Sequence, residues 1–91
     1  MKSIIQEKKE CWCCHTTYNL ECHHIYGAGC RKNAEKYGLK VWLCNKHHTG
    51  IEGVHNGNHA LDTQLRILGQ IKFEETHSRE EFIRLFIRSN L

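Results

Sequence analysis

CWCCHTTYNLECHHIYG at residues 11–27 and LKVWLCNKHH at residues 39–48 decide how this chain folds. Each stretch carries a ligand pair with two residues between its members, Cys11-x-x-Cys14 and Cys44-x-x-His47. That spacing lets a tight turn aim both side chains at one tetrahedral ion, which in a Cys3His set points to Zn2+. Cys13 competes with Cys14 as the second ligand, and spacing alone leaves the choice open. Between the pairs, YNLECHHI (18–25) alternates, with Leu20, Cys22 and His24 on one face and Glu21, His23 and Ile25 on the other. This fits a strand. Gly27 and Gly29 break it. RKNAEKY (31–37) reads as a loop or one helical turn stopped by Gly38, and LKVWLC (39–44) as a second strand. NKHHTG (45–50) follows as a turn or short helix. If the strands lie antiparallel, the two knuckles meet and the ion clips the hairpin shut.

Outward from this segment, residues 1–10 read as a charged lead-in and 11–91 as a single domain, with a metal-bound part (11–60) and a helical part (61–91). In the helical part, Leu61, Leu65, Leu68 and Ile71 recur at helical spacing behind Asn58 as N-cap. Ser78 and Glu81 have the spacing of a capping box, followed by an apolar stripe of Phe82, Ile83, Phe86 and Ile87. The two helices are expected to pack on the metal-bound half and to supply most of the core. Gly69 weakens the first of them. The fold class is therefore small α+β, a zinc-stapled hairpin and helix with two further C-terminal helices.

Ninety-one residues leave room for one small core, and at this size a metal staple is common. Six cysteines and eight histidines fit that need. The first ten residues hold no apolar run of signal-peptide length, and no later segment is long and apolar enough to span a bilayer. The expected compartment is the cytoplasm, where Cys/His spacing reads as zinc before disulfide. Residues 1–50 hold eight Lys/Arg against four Asp/Glu, a net +4; residues 51–91 hold five against six, a net −1. Positive charge beside the Cys/His half suits a polyanion such as nucleic acid.

The zinc knuckles leave histidines over. His23 and His24 close the first strand, His48 follows ligand His47, and His55 lies seven residues on. His48 is fixed by the knuckle beside it, the preorganisation a reacting site needs. Cys22 reads as a small buried strand residue and Cys30 stays ambiguous. His15, His59 and His77 read as surface residues or local caps.

LECHHIYG, a spacer, VWLCNKHH and then a downstream histidine resemble the HNH (His-Me finger, ββα-metal) endonucleases, in the version whose hairpin is flanked by a zinc clip. The resemblance covers about residues 11–60; GVHNG and the helical tail are similar to small phage-type members. It implies a hydrolase acting on DNA phosphodiester bonds, with His24 as general base. It further implies that His23 and His48 bind a catalytic divalent cation, Mg2+ or another, with His55 as third ligand or phosphate contact. The products would carry 5′ phosphate and 3′ hydroxyl ends. Arg31, Lys32, Lys36 and Lys40, in or beside the loop between the strands, are the candidate DNA contacts. The family's central Asn usually precedes the second strand; here KYGLK stands there, with Asn33 and Asn45 nearby but unaligned. The expected partner is DNA, with a homodimer or a phage or host protein as a further one. The competing readings are a zinc-ribbon-like binding module, which needs only Cys11, Cys14, Cys44 and His47, and a degenerate HNH scaffold. Trp12 and Trp42 read as base-stacking groups or, more commonly beside a knuckle, as caps on the core.

Overall fold

The computed structural model describes residues 1–91. Strand β1 (Leu20–His24) pairs antiparallel with β2 (Lys40–Cys44), with Leu20 opposite Cys44 and His24 opposite Lys40. Between them run a 3-10 turn at Ala28–Cys30 and helix α1 (Arg31–Lys36), so RKNAEKY is mostly helical. Helix α2 (Asn45–His48) follows β2 directly, and α3 (His59–Phe73) and α4 (Arg79–Phe86) complete the chain. The result is a small α+β fold with a two-stranded sheet and four helices. No helix is long and apolar enough to cross a membrane.

Directly opposed residues of an antiparallel pair share a face. Val41 and Leu43, both fully buried, therefore place their partners His23 and Glu21 on the core side of the sheet. His24 stands with Lys40 on the other side. The expected alternation of β1 holds, and the face carrying Glu21 and His23 is the one that meets the core.

The charged lead-in forms no helix and hydrogen-bonds to β2. Ser3 Oγ donates to the Lys40 carbonyl (2.6 Å), Gln6 Oε1 accepts from Trp42 N–H (2.8 Å), and Trp12 N–H donates to the Trp42 carbonyl (2.8 Å). These bonds occupy the outer edge of β2, whose backbone groups would otherwise stand unpaired beside buried side chains.

Both helix starts follow their caps. Asn58 Oδ1 accepts from Leu61 N–H (3.1 Å), and Ser78 Oγ from Glu81 N–H (3.0 Å). The capping box is only half formed, because the Glu81 carboxylate turns to Arg84 at 3.8 Å. The apolar stripes correct two expectations. Leu61, Leu65, Gly69 and Phe73 form the buried line of α3, while Ile71 is exposed. In α4, Phe82 and Phe86 are buried, whereas Ile83 and, just past the helix end, Ile87 face outward. Only five of the thirteen core residues come from α3 and α4. Ile25, Tyr26, Ala34, Leu39, Val41, Leu43 and the two cysteines Cys11 and Cys44 supply the others, so residues 11–60 contribute the larger share.

Tyr26 joins the halves. Its ring lies against Phe82 and Phe86, and its hydroxyl donates to the Arg66 carbonyl at 2.6 Å. Gly69 allows this: a Cβ there would sit 2.8 Å from Tyr26 Oη. Helix propensity favours alanine over glycine by about 1 kcal/mol, but overpacking a fixed site costs about 1–3 kcal/mol. We therefore expect Gly69→Ala to lower the melting temperature of the zinc-saturated protein by several degrees, and to cost less in a Tyr26→Phe background. A raised melting temperature for the single variant would show that Tyr26 does not pin this contact.

Candidate metal centres and the histidine cleft

Cys11, Cys14, Cys44 and His47 bring one ligand atom each within 4.8 Å of the other three. Cys14 Sγ and Cys44 Sγ lie 3.8 Å apart, as do Cys11 Sγ and His47 Nδ1, and Cys44 Sγ is 3.2 Å from His47 Nδ1. Two sulfurs about 2.3 Å from a tetrahedral ion stand roughly 3.8 Å apart, so the separations fit a cation such as zinc. Cys14, not Cys13, completes the set; Cys13 is exposed and outside it. Burial raises the Cys11 thiol, but the backbone N–H groups of Cys14, Cys44 and Cys13 outweigh it and bring it down to about 6. A thiol so placed is readily available as the thiolate that binds metal. Cys44 is pushed the other way, by burial and by the neighbouring thiols.

The knuckle geometry carries over to the next residue. His47 and His48 share one short helix, so fixing His47 at the cluster aims His48 toward β1. Backbone bonds from Val54 to His47 and from His55 to His48, both 3.0 Å, fold the following turn back onto α2. Gly53 makes this possible, since a Cβ there would lie 2.4 Å from the His48 carbonyl. The consequence is a second cluster: His23, His48 and His55 also place one ring nitrogen each within 4.8 Å of the others. Their ring centroids are 4.7–5.2 Å apart.

His23 is the telling member. It is 3% exposed, and neither ring nitrogen has a hydrogen-bond partner. Leaving such groups unpaired costs about 1–3 kcal/mol. Burial, then the rings of His48, His55 and His24, hold its pKa down to about 3, so it is neutral, the form that ligates metal. His48 Nδ1 lies 2.6 Å from Glu21 Oε1. Glu21 is held below the usual carboxylate range mainly by that bond, so it accepts, Nδ1 carries the hydrogen, and Nε2 keeps its lone pair for the cluster. The three rings thus fit a divalent cation by donor type, geometry and the orphaned nitrogens of His23.

A cavity of about 250 Å³ joins these three histidines to His24 and Arg31. His24 Nε2 is 2.7 Å from Glu35 Oε1, and Arg31 Nε faces His24 Nδ1 at 3.5 Å. Arg31, Lys32 and Lys36 are exposed on α1. Lys40 is not a candidate anion contact: it is 5% exposed and its ammonium pairs with Glu35. Its place in β2, opposite His24, puts it on the sheet face away from Val41 and Leu43, where Glu35 of α1 reaches it. Cys22 is half-buried rather than buried, its thiol donating to the Met1 sulfur at 3.3 Å. Cys30 packs against the core, His77 stacks on Phe73 at 4.3 Å, and Trp12 packs on the core while Lys9 covers Trp42. Asn33 is used structurally, donating to the Leu85 carbonyl, and Asn45 reaches Glu21 only at 3.5 Å.

Sequence reasoning missed Glu21 and Glu35. Glu21 had a usable signal, since it stands two residues before His23 and so on its face. Glu35 had none, because its reach to His24 depends on how α1 folds back across the sheet.

Two outcomes check these centres. Cys13→Ser should keep the wild-type zinc content, while Cys14→Ser and Cys44→Ser should lose metal and cooperative folding, measured by metal analysis and circular dichroism; a folded, metal-free Cys44→Ser chain would dismiss the clip. Glu21→Ala should weaken a transition ion at the three histidines by about 10–100-fold in calorimetric titration, and unchanged affinity would free His48 from Glu21. No family model, curated protein or solved structure matches this chain.

Proposed function

We propose that this chain is a metal-dependent endonuclease of the HNH type, hydrolysing DNA phosphodiester bonds. The observation that carries the reading is the shared cavity: a three-histidine cluster suited to a cation opens on the same space as His24 and Arg31. A zinc-ribbon binding module requires the Cys11, Cys14, Cys44 and His47 cluster alone. It offers no reason for three more histidines to converge, with a carboxylate orienting one of them.

Within this reading the residues take distinct parts. Glu35 is a carboxylate, held down to about 2 by Lys40 and His24, so it accepts from His24 Nε2–H. That leaves the lone pair on Nδ1, which faces Arg31 at the cleft. His24 Nδ1 takes a proton from a water whose oxygen attacks phosphorus in line with the 3′ oxygen. The bond from phosphorus to the 3′ oxygen breaks, that oxygen leaves with the electron pair and is protonated from solvent, and the ends are 5′ phosphate and 3′ hydroxyl. Arg31, on an exposed and movable stem, exchanges His24 for a phosphate oxygen when DNA enters. Lys32 and Lys36 extend the positive edge along α1. A cation at His23, His48 and His55 would neutralise charge on the phosphate and stabilise the leaving oxygen. Three imidazoles suit Zn2+ or Ni2+ better than Mg2+ or Mn2+, which favour oxygen ligands and bound water.

The experiment is plasmid cleavage over a panel of Mg2+, Mn2+, Ni2+ and Zn2+. Wild type should nick or cut, and His24→Ala should lower the rate by about 100-fold or more with zinc content unchanged. Binding of DNA with no cleavage under any ion would favour the binding module. Cleavage undiminished in His24→Ala would remove this base from the reaction.

A further inference from the structure

The HNH-like motif here has no aligned asparagine to orient the base, yet the structure surrounds His24 with a fixed partner. Glu35 divides its two oxygens. Oε1 meets His24 Nε2 at 2.7 Å, and Oε2 meets the Lys40 ammonium. On its own this would mean little, because the Glu35 side chain is 57% exposed and an exposed carboxylate is a loose partner. Lys40 changes the case. Its side chain is 6% exposed, and Glu35 is the carboxylate that pairs with it. A buried ammonium left alone is costly, so Glu35 cannot swing into solvent without stranding Lys40. Lys40 is itself held, as the cross-strand neighbour of His24, with its carbonyl taken by Ser3 Oγ. The carboxylate is thus held at both oxygens.

We infer that Glu35, clamped by Lys40, is the positioning residue that fixes the tautomer and ring orientation of His24. The deduction rests on the nuclease reading only for its consequence in catalysis; the tautomer stands without it. A carboxylate accepts and does not donate, so His24 carries its hydrogen on Nε2 and keeps Nδ1 as the acceptor that Arg31 Nε faces, in a ring that lines the cavity shared with His23, His48 and His55. A freely rotating ring would divide its time between tautomers and between faces. Lys40, which a sequence reading assigns to DNA, instead acts through Glu35 on the base.

The test uses the zinc-loaded full chain labelled with 15N-histidine, and reads the His24 ring nitrogens by two-bond 1H–15N correlation above pH 7. Wild type should show the Nε2–H tautomer. Glu35→Ala together with Lys40→Met removes both charges, so no buried cation is stranded, and should give a mixed tautomer. Glu35→Gln in the same Lys40→Met background should keep the Nε2–H form, because the amide oxygen still accepts and no buried ammonium is left facing an amide nitrogen. In cleavage, the alanine double variant should lose on the order of 100-fold in kcat with KM within about threefold, and Glu35→Gln with Lys40→Met should recover a large part. An Nδ1–H tautomer in wild type, or a tautomer unmoved in the alanine double variant, would overturn the inference. If wild type cuts no DNA, the nuclease reading falls while the spectra still decide the clamp. An alanine double variant with altered tautomer but unchanged kcat would confine Glu35 to structure and overturn its role in the reaction.

Discussion

The meeting of Cys11, Cys14, Cys44 and His47 is the constraint on which the other parts depend. It ties the chain just after its first ten residues to the end of β2, across more than thirty residues of sequence. Two of its members, Cys11 and Cys44, are also core residues, so the cluster belongs to the packing. Metal binding at such a set can contribute on the order of 10 kcal/mol to folding, comparable to the whole net stability of an ordinary small domain. The clip also transmits position. His47 cannot be placed without placing His48, Glu21 then holds the far nitrogen of His48, and Glu21 shares a strand face with His23. The structural cluster thereby fixes two of the three histidines in the second cluster through one residue of helix and one hydrogen bond.

The elements legible in the sequence were those governed by local rules. Alternation located β1, the run of Val, Trp and Leu located β2, and the side chains of Asn58 and Ser78 marked the starts of α3 and α4, because a cap acts within three residues of itself. The ligand pairs were legible for the same reason. What sequence could not supply was set by contacts between distant segments. MKSIIQEKKE has the composition of a solvated lead, and only the unpaired edge of β2 gives Ser3 and Gln6 their use. Lys40 looks like a surface cation until its register opposite His24 turns it under α1. Ile71, Ile83 and Ile87 fit a helical stripe, but the core is filled by larger rings, Phe73, Phe82 and Phe86, with Tyr26 between the two halves. Cys13 and Cys14 differ by one position in a turn, too fine a distinction for spacing to make.

Charge that seemed available for a polyanion is partly spent inside the protein. Of the basic residues in the first half, Lys40 is paired with Glu35 and Lys46 with Glu52, leaving Arg31, Lys32 and Lys36 on α1 as the positive edge nearest His24. On the nuclease reading this thin edge limits how DNA is held. A sequence-specific interface buries roughly 1,000–2,500 Å² of protein, a large share of the 5757 Å² this chain exposes. Phosphate contacts beside the cleft need far less surface, and they position the backbone without reading bases. The short α1 and the small loop at Gly27–Gly29 offer little that would fill a groove 12 Å wide. Weak sequence preference, with discrimination left to a second copy or to another protein, follows from the size of the surface and from where its charges remain free.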